Sequence, residues 1–273
     1  MTGTFEIARW FVFLLYTVSL FFYARYFEKK LNFLGEKAVL FLSVAVFFHT
    51  ATVLLLWISE GHFPVMSVGN AIFTWVWLFA LLYWILEVRL REQSFGIFIV
   101  TLFVIFLLIS NVLPYRHGAL PEYFQDKWVQ IHIFLMLIAY TGFALSFIAS
   151  AMYLLLLKEL KNRTLNFFYS RLPALELLDK MGLESLTVGF IFLTVGIFVS
   201  LSIGSEYLIR AWYLDIKILS VFATWLIYAF YLAARWFFNA SPRKSAYLSL
   251  AGFGWILISF FILSSFVSNV HAY

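Results

Sequence analysis

The chain has 273 residues, 64% of them hydrophobic and 12% charged, with a formal charge of +5 and mean hydropathy +0.93. A soluble domain of this length carries about a quarter of its residues as charges, so a water-soluble fold is excluded, and the modest positive charge is what the loops of a membrane protein supply. The absence of cysteine excludes disulfides, thiolate catalysis, Cys-ligated zinc and a covalent C-x-x-C-H haem site, and no basic-aromatic pattern points to nucleic acid.

Several apolar runs reach the roughly 20 residues that span the hydrocarbon core. Backbone groups in lipid must pair within their own segment, so these runs are expected to be helices. Strand-like alternation is absent, which argues against a barrel. The first segment, "MTGTFEIARW", has no basic region and no small-residue cleavage site after it. It is therefore expected to open a retained span and not a removed signal.

Eight helices are predicted, over 6–25, 38–58, 70–88, 95–114, 128–157, 185–204, 216–236 and 246–269. Polar breaks such as "EKKLNFLGEK", "SEGHFPVMSVGN" and "LPYRHGALPEYFQDK" separate them. No linker divides the spans, so one transmembrane helical domain is expected over residues 1–273. The segment between the fifth and sixth helices contains "LPALELLDKM", whose leucine spacing predicts a short amphipathic helix at the membrane surface.

Of the 19 Lys and Arg residues, 14 fall in the odd-numbered loops. The other five, Arg9, Arg116, Lys127, Arg210 and Lys217, fall at the N-terminal end and in the even-numbered loops. This asymmetry places the odd loops in the cytoplasm and both termini outside.

The five histidines follow the same polarity. His62 and His117 fall in outer loops, His132 just inside the outer end of the fifth helix, and His271 past the outer end of the eighth. His49 lies near the middle of the second helix. Neutral imidazole is the usual axial ligand of haem iron. His132 and His271 are each anchored to a helix terminus, so they are the best candidates to clamp one metallocofactor. For either residue alone the alternative is a solvated, structural histidine at headgroup level. His62 reads as a turn-shaping residue and His117 as a solvated one. An intramembrane His49 suggests a function or, equally, a hydrogen bond to a neighbouring helix.

The stretch "WYLDIKILSVFATWLIYAFYLAARW" follows. Asp215 reads as an N-terminal helix cap and Trp212 as part of an interfacial aromatic belt. Alternatively, an aromatic surface beside two imidazoles would hold a planar porphyrin, with a nearby Arg or Lys pairing its propionates.

With these residues quoted, the chain resembles the cytochrome c assembly membrane family, which includes CcsA, CcmC and HemX-like proteins. "HTATVLLLWISEGHFPVMSVGN" resembles the family's second helix and following loop. "KWVQIHIFLMLIAYTGFALSFIASAMYLLLLKELK" resembles the helix that begins with an external haem-ligand histidine, here His132. "FVSNVHAY" resembles the ending that carries the second, here His271. In the tryptophan-rich W-x-W-D-P-K-E segment and the helix after it, Trp212, Asp215, Lys217, Thr224, Trp225, Tyr231, Leu232 and Arg235 match. Leu214, Ile216 and Ile218 depart from that motif, and Ala233 stands where the CcsA branch has a membrane-embedded histidine.

The resemblance implies b-type haem held non-covalently at the outer face, with His132 and His271 as axial and metal-binding ligands. Trp212 and Trp225 would contact the ring or its support, and Asp215 and Lys217 would order the loop. It further implies a plasma-membrane location, a CcsB-like membrane partner in a haem-attachment (synthase) complex, and apocytochrome c as the recipient. The eroded tryptophan segment equally suits a HemX-like regulator of tetrapyrrole synthesis acting through protein contacts. A transporter is disfavoured, since the intramembrane ionisable residues suggest no relay and no Gly/Pro-broken helix pair is evident.

Overall fold

The computed structural model describes residues 2–65, 67–113, 126–163, 169–207 and 216–267; for 2–3, 203–207, 216–217 and 260–267 it describes the backbone alone. Eight α-helices lie among them: α1 (Thr2–Lys29), α2 (Asn32–Glu60), α3 (Val68–Leu90), α4 (Gly96–Val112), α5 (Lys127–Lys161), α6 (Leu175–Tyr207), α7 (Ile216–Trp236) and α8 (Pro242–Val267). A 3-10 turn, Gln93–Phe95, leads into α4. Among the described residues there is no strand, and seven helices, α1 to α7, are long and apolar enough to cross a membrane. The chain is a multi-pass helical membrane protein.

It divides into two compact units: Met1–Gln130 with Ser170–Pro173, and Ile131–Tyr169 with Ala174–Tyr273. In the first unit α1 packs on α2 and α4, and α3 packs on the same two helices. Aromatic rings fill the centre. Phe103 of α4 meets Tyr16 of α1 at 5.6 Å and Phe79 of α3 at 5.0 Å, both edge-on. The outward side chains Phe47, Leu55 and Ile58 of α2 are exposed, as suits a surface solvated by lipid tails.

Helix ends are closed by local chemistry. Ser67 caps α3 by accepting from the Asn70 N–H at 3.1 Å. Gly61 ends α2 in the left-handed region at φ 72°, with its N–H bound to the Trp57 carbonyl; glycine has no Cβ to oppose that conformation. At the end of α1 the Arg171 guanidinium donates to the Phe27 carbonyl at 2.6 Å and the Glu28 carbonyl at 2.7 Å. Lys30 then donates to the Arg171 carbonyl at 2.9 Å and to Ser94 Oγ at 2.6 Å. Burial pulls the Lys30 ammonium below the usual lysine range, and these acceptors compensate part of its lost hydration. Arg171→Ala is expected to free two helix-end carbonyls and weaken the last turn of α1 by about 1 kcal/mol. Hydrogen exchange of the Tyr26–Lys29 amides should then speed up roughly fivefold; unchanged exchange would assign the cap to water.

In the second unit the core is built from Met136, Ala139 and Phe143 of α5, Leu186 and Leu193 of α6, and Tyr228, Tyr231 and Leu232 of α7. Phe143 and Tyr228 stack with centroids 4.0 Å apart. Two glycines let α5 and α6 cross closely. A Cβ on Gly142 would lie 2.6 Å from the Ser185 carbonyl oxygen, and one on Gly189 would lie 2.9 Å from that of Ala139. Arg235 of α7 donates to Asp179 of α6 at 2.6 Å, with both side chains largely covered.

The seventh predicted helix matches α7 residue for residue. The sixth does not. "LPALELLDKM" forms no separate surface helix, because α6 starts at Leu175 and runs unbroken to Tyr207. The leucine stripe that suggested a lipid-facing element is packed inside: Leu178 is fully buried and Met181 nearly so. Gly182 lies inside this helix, and a Cβ there would meet Ser150 and Ala149 of α5 at ordinary contact distance.

The candidate haem-ligand site

α5 begins at Lys127, where Asp126 Oδ1 accepts from the Trp128 N–H at 2.7 Å and closes the first turn. His132 follows in the second turn and is half-buried. Its Nδ1 lies 2.9 Å from the carbonyl oxygen of Gly196 on α6. A carbonyl only accepts, so the ring donates from Nδ1. Its other nitrogen, Nε2, has no hydrogen-bond partner among the described residues. This is the arrangement a metal-binding imidazole needs: one nitrogen held by a backbone carbonyl, the other presenting a lone pair. Met136, one turn further along α5, packs on Gly196.

Trp225 is expected from the sequence to contact a cofactor ring or its support; the contacts described for it are to α6 and to its own helix. Its indole N–H donates to Thr194 Oγ1 at 3.0 Å, and Thr194 in turn donates to the Phe190 carbonyl at 2.8 Å. Its ring lies parallel to Phe222 at 6.1 Å and tilted on Phe190 at 5.5 Å. The bond to Thr194 therefore fastens α7 to α6 two residues from Gly196. His271, Trp212 and Asp215 lie outside the described residues, as does the side chain of Lys217 in the first turn of α7.

The other histidines hold structural positions where they are described. His49 is fully buried, and its Nδ1 shares a 3.3 Å hydrogen bond with the Tyr16 hydroxyl of α1. The interhelical reading of that residue is the one observed. His62 shapes its turn, with Nδ1 at 3.1 Å from the Phe63 carbonyl. His117 lies outside the described residues. Among the described residues no group of three or more His, Cys, Asp and Glu could hold a metal ion. A site supplied by two histidines and a porphyrin's own nitrogens needs no such cluster.

Two buried polar clusters in the first unit escaped the sequence reading. Arg9 donates to the Ser110 carbonyl and Oγ, both at 2.6 Å, and lies over the Phe73 ring. Tyr23 donates to the buried Glu87 carboxyl. Helical spacing could have placed Arg9, Tyr16 and Tyr23 on one face of α1, but their partners come from other helices and leave no mark in local sequence.

Fold and site together describe a helical multi-pass membrane protein carrying a half-buried histidine whose Nδ1 is bound to a backbone carbonyl. The profile of the family described as Cytochrome C assembly protein matches residues 65–271, and the chain belongs to that family. It is 24% identical over 238 residues to the cytochrome c biogenesis protein CcsA of Guillardia theta, covering 80% of this chain and 78% of that one. It is 26% identical over 241 residues to the CcsA of Cuscuta reflexa, with the same coverage of 80% and 78%. It is 25% identical over 260 residues to the protein HemX of Bacillus subtilis, covering 94% of each chain.

Proposed function

We propose that this protein holds b-type haem non-covalently at the extracytoplasmic face of the plasma membrane and presents it for attachment to apocytochrome c. His132 and His271 would hold its iron. The orientation of His132 carries the reading: Nδ1 is engaged by the Gly196 carbonyl, which leaves Nε2 for iron. Eight helices span the bilayer with both termini outside, since α8 has 26 residues, enough to cross, and the 14 to five division of Lys and Arg sets the polarity.

In this reading the chain's own residues bind and orient. Trp212 and Trp225 would contact the ring or its support, Asp215 and Lys217 would order their loop, and the bond of Trp225 to Thr194 ties α7 to α6 near Gly196. Bound haem supplies the vinyl groups that form thioether bonds, and the thiols come from the apocytochrome. The absence of cysteine from this chain is therefore compatible with the task. The partner proposed is a CcsB-like membrane protein that completes the attachment complex.

A second reading is a HemX-like regulator of tetrapyrrole synthesis acting through protein contacts. It is favoured by the alignment with HemX, which extends over 94% of both chains, and by Leu214, Ile216 and Ile218 in the tryptophan-rich segment. Deleting the gene separates the two. Haem attachment predicts loss of membrane-bound c-type cytochromes with normal haem precursors. Intact c-type cytochromes with altered precursor levels would favour regulation.

A further inference from the structure

We propose that Gly196 is a positioning residue: its carbonyl and its small size together fix His132 as the Nδ1–H tautomer and turn Nε2 toward the metal. The metal-presenting part rests on the haem reading above; the tautomer does not. Neutral imidazole carries one N–H. With a carbonyl oxygen 2.9 Å from Nδ1, that hydrogen must sit on Nδ1, and the lone pair is left on Nε2. A helical carbonyl already accepts one N–H from the next turn, and its second lone pair takes the imidazole.

The absence of a bulky side chain at 196 is what allows this approach. A Cβ there would lie 3.1 Å from Met136 Sδ and 3.7 Å from Leu135 Cβ. Met136 and His132 occupy the same face of α5, one turn apart. A bulky side chain at 196 would therefore crowd the face of α5 that carries His132. An alanine asks only the flexible thioether end of Met136 to give. A branched residue has more atoms to place and must push α6 away from α5. That separation is resisted further down the same pair, where Gly142 and Gly189 cross in backbone contact. The opening falls instead on the outer end, where His132 sits.

Donation from Nδ1 to a carbonyl also makes Nε2 a stronger donor to iron, and loss of such a partner typically weakens metal binding roughly 10- to 100-fold. Gly196 thus acts through His132 without touching the ligand.

The test uses the full-length protein in detergent, labelled with 15N-histidine, with His132→Ala identifying the resonances of that ring. In the haem-free wild type, Nδ1 should be protonated and Nε2 bare. Gly196→Val should shift the ring toward the Nε2–H form, weaken haemin binding roughly 10- to 100-fold and raise the haem midpoint potential. Gly196→Ala should restore all three. An Nε2–H tautomer in the wild type overturns the proposal without any variant. Unchanged tautomer, affinity and potential in folded Gly196→Val overturn it as well. If the ring is Nδ1–H but His132→Ala leaves haemin affinity unaltered, the haem reading fails and takes the presenting role of Gly196 with it, while the tautomer assignment stands.

Discussion

Replacing either His132 or His271 with alanine is expected to abolish the paired-imidazole spectrum of the haem-loaded protein. Under the proposed ligation each substitution would remove one of two imidazole nitrogens from the iron, and five-coordinate haem iron with a single imidazole is high-spin. The effect should therefore be a change of kind: the sharp visible bands of the reduced form collapse, and haem content falls after gel filtration. His132 leaves a gap beside the Gly196 carbonyl when truncated, so free imidazole added to His132→Ala should enter it and restore the spectrum. His49 provides the contrast. It is sealed among α1, α2 and α3 with Tyr16 and Phe73 against its ring, so His49→Ala should lower stability while leaving the haem spectrum in place. If the order is reversed, the ligand lies in the first unit and not at the N-terminal end of α5.

The largest stability loss is expected from Gly142→Leu. A Cβ at that position would stand 2.6 Å from the Ser185 carbonyl oxygen and 2.8 Å from the nitrogen and α-carbon of Gly189. All three are backbone atoms in a rigid helix, so no rotamer change relieves the overlap. The helices must separate. That pulls on the Phe143–Tyr228 stack at 4.0 Å and on the hydrogen bond between Ser146 and Ser249 at 2.9 Å. Overpacking of this sort costs on the order of 3 kcal/mol. The thermal unfolding midpoint in detergent should fall by several degrees. Gly182→Ala is the control: its Cβ would meet nothing closer than 3.7 Å, and the helix propensity of alanine should leave the midpoint equal or higher. Equal midpoints for Gly142→Leu and the wild type would contradict the close crossing.

Much of this architecture was legible because lipid imposes a simple code. A run of apolar residues must be a helix, and its ends must be polar, so α7 could be placed to the residue. The start of α6 was not legible, because an amphipathic stripe looks the same whether it faces lipid or a neighbouring helix. Only packing shows that Leu178 and Met181 are inside. In the site, His132 stood out as an imidazole at a helix end. Its partner did not, since Gly196 lies in the featureless run "LTVGIFVS" and contributes a carbonyl that every residue possesses. Trp225 was noticed for its ring, yet the atom that matters is its N–H, bound to Thr194. Nothing in the local sequence marks Arg9, Tyr16 and Tyr23, because their partners lie on other helices.

Two imidazoles on one iron have a spectroscopic signature that no other pair of protein ligands reproduces in full. The direct measurement is the low-temperature electron paramagnetic resonance spectrum of the purified wild-type protein with oxidised haem, read beside the near-infrared magnetic circular dichroism of the same sample. Ligation by His132 and His271 predicts a low-spin ferric signal with the charge-transfer band of bis-histidine iron, lost in His132→Ala and in His271→Ala. A high-spin signal in the wild type, a low-spin signal that survives both substitutions, or protein that retains no haem would contradict it.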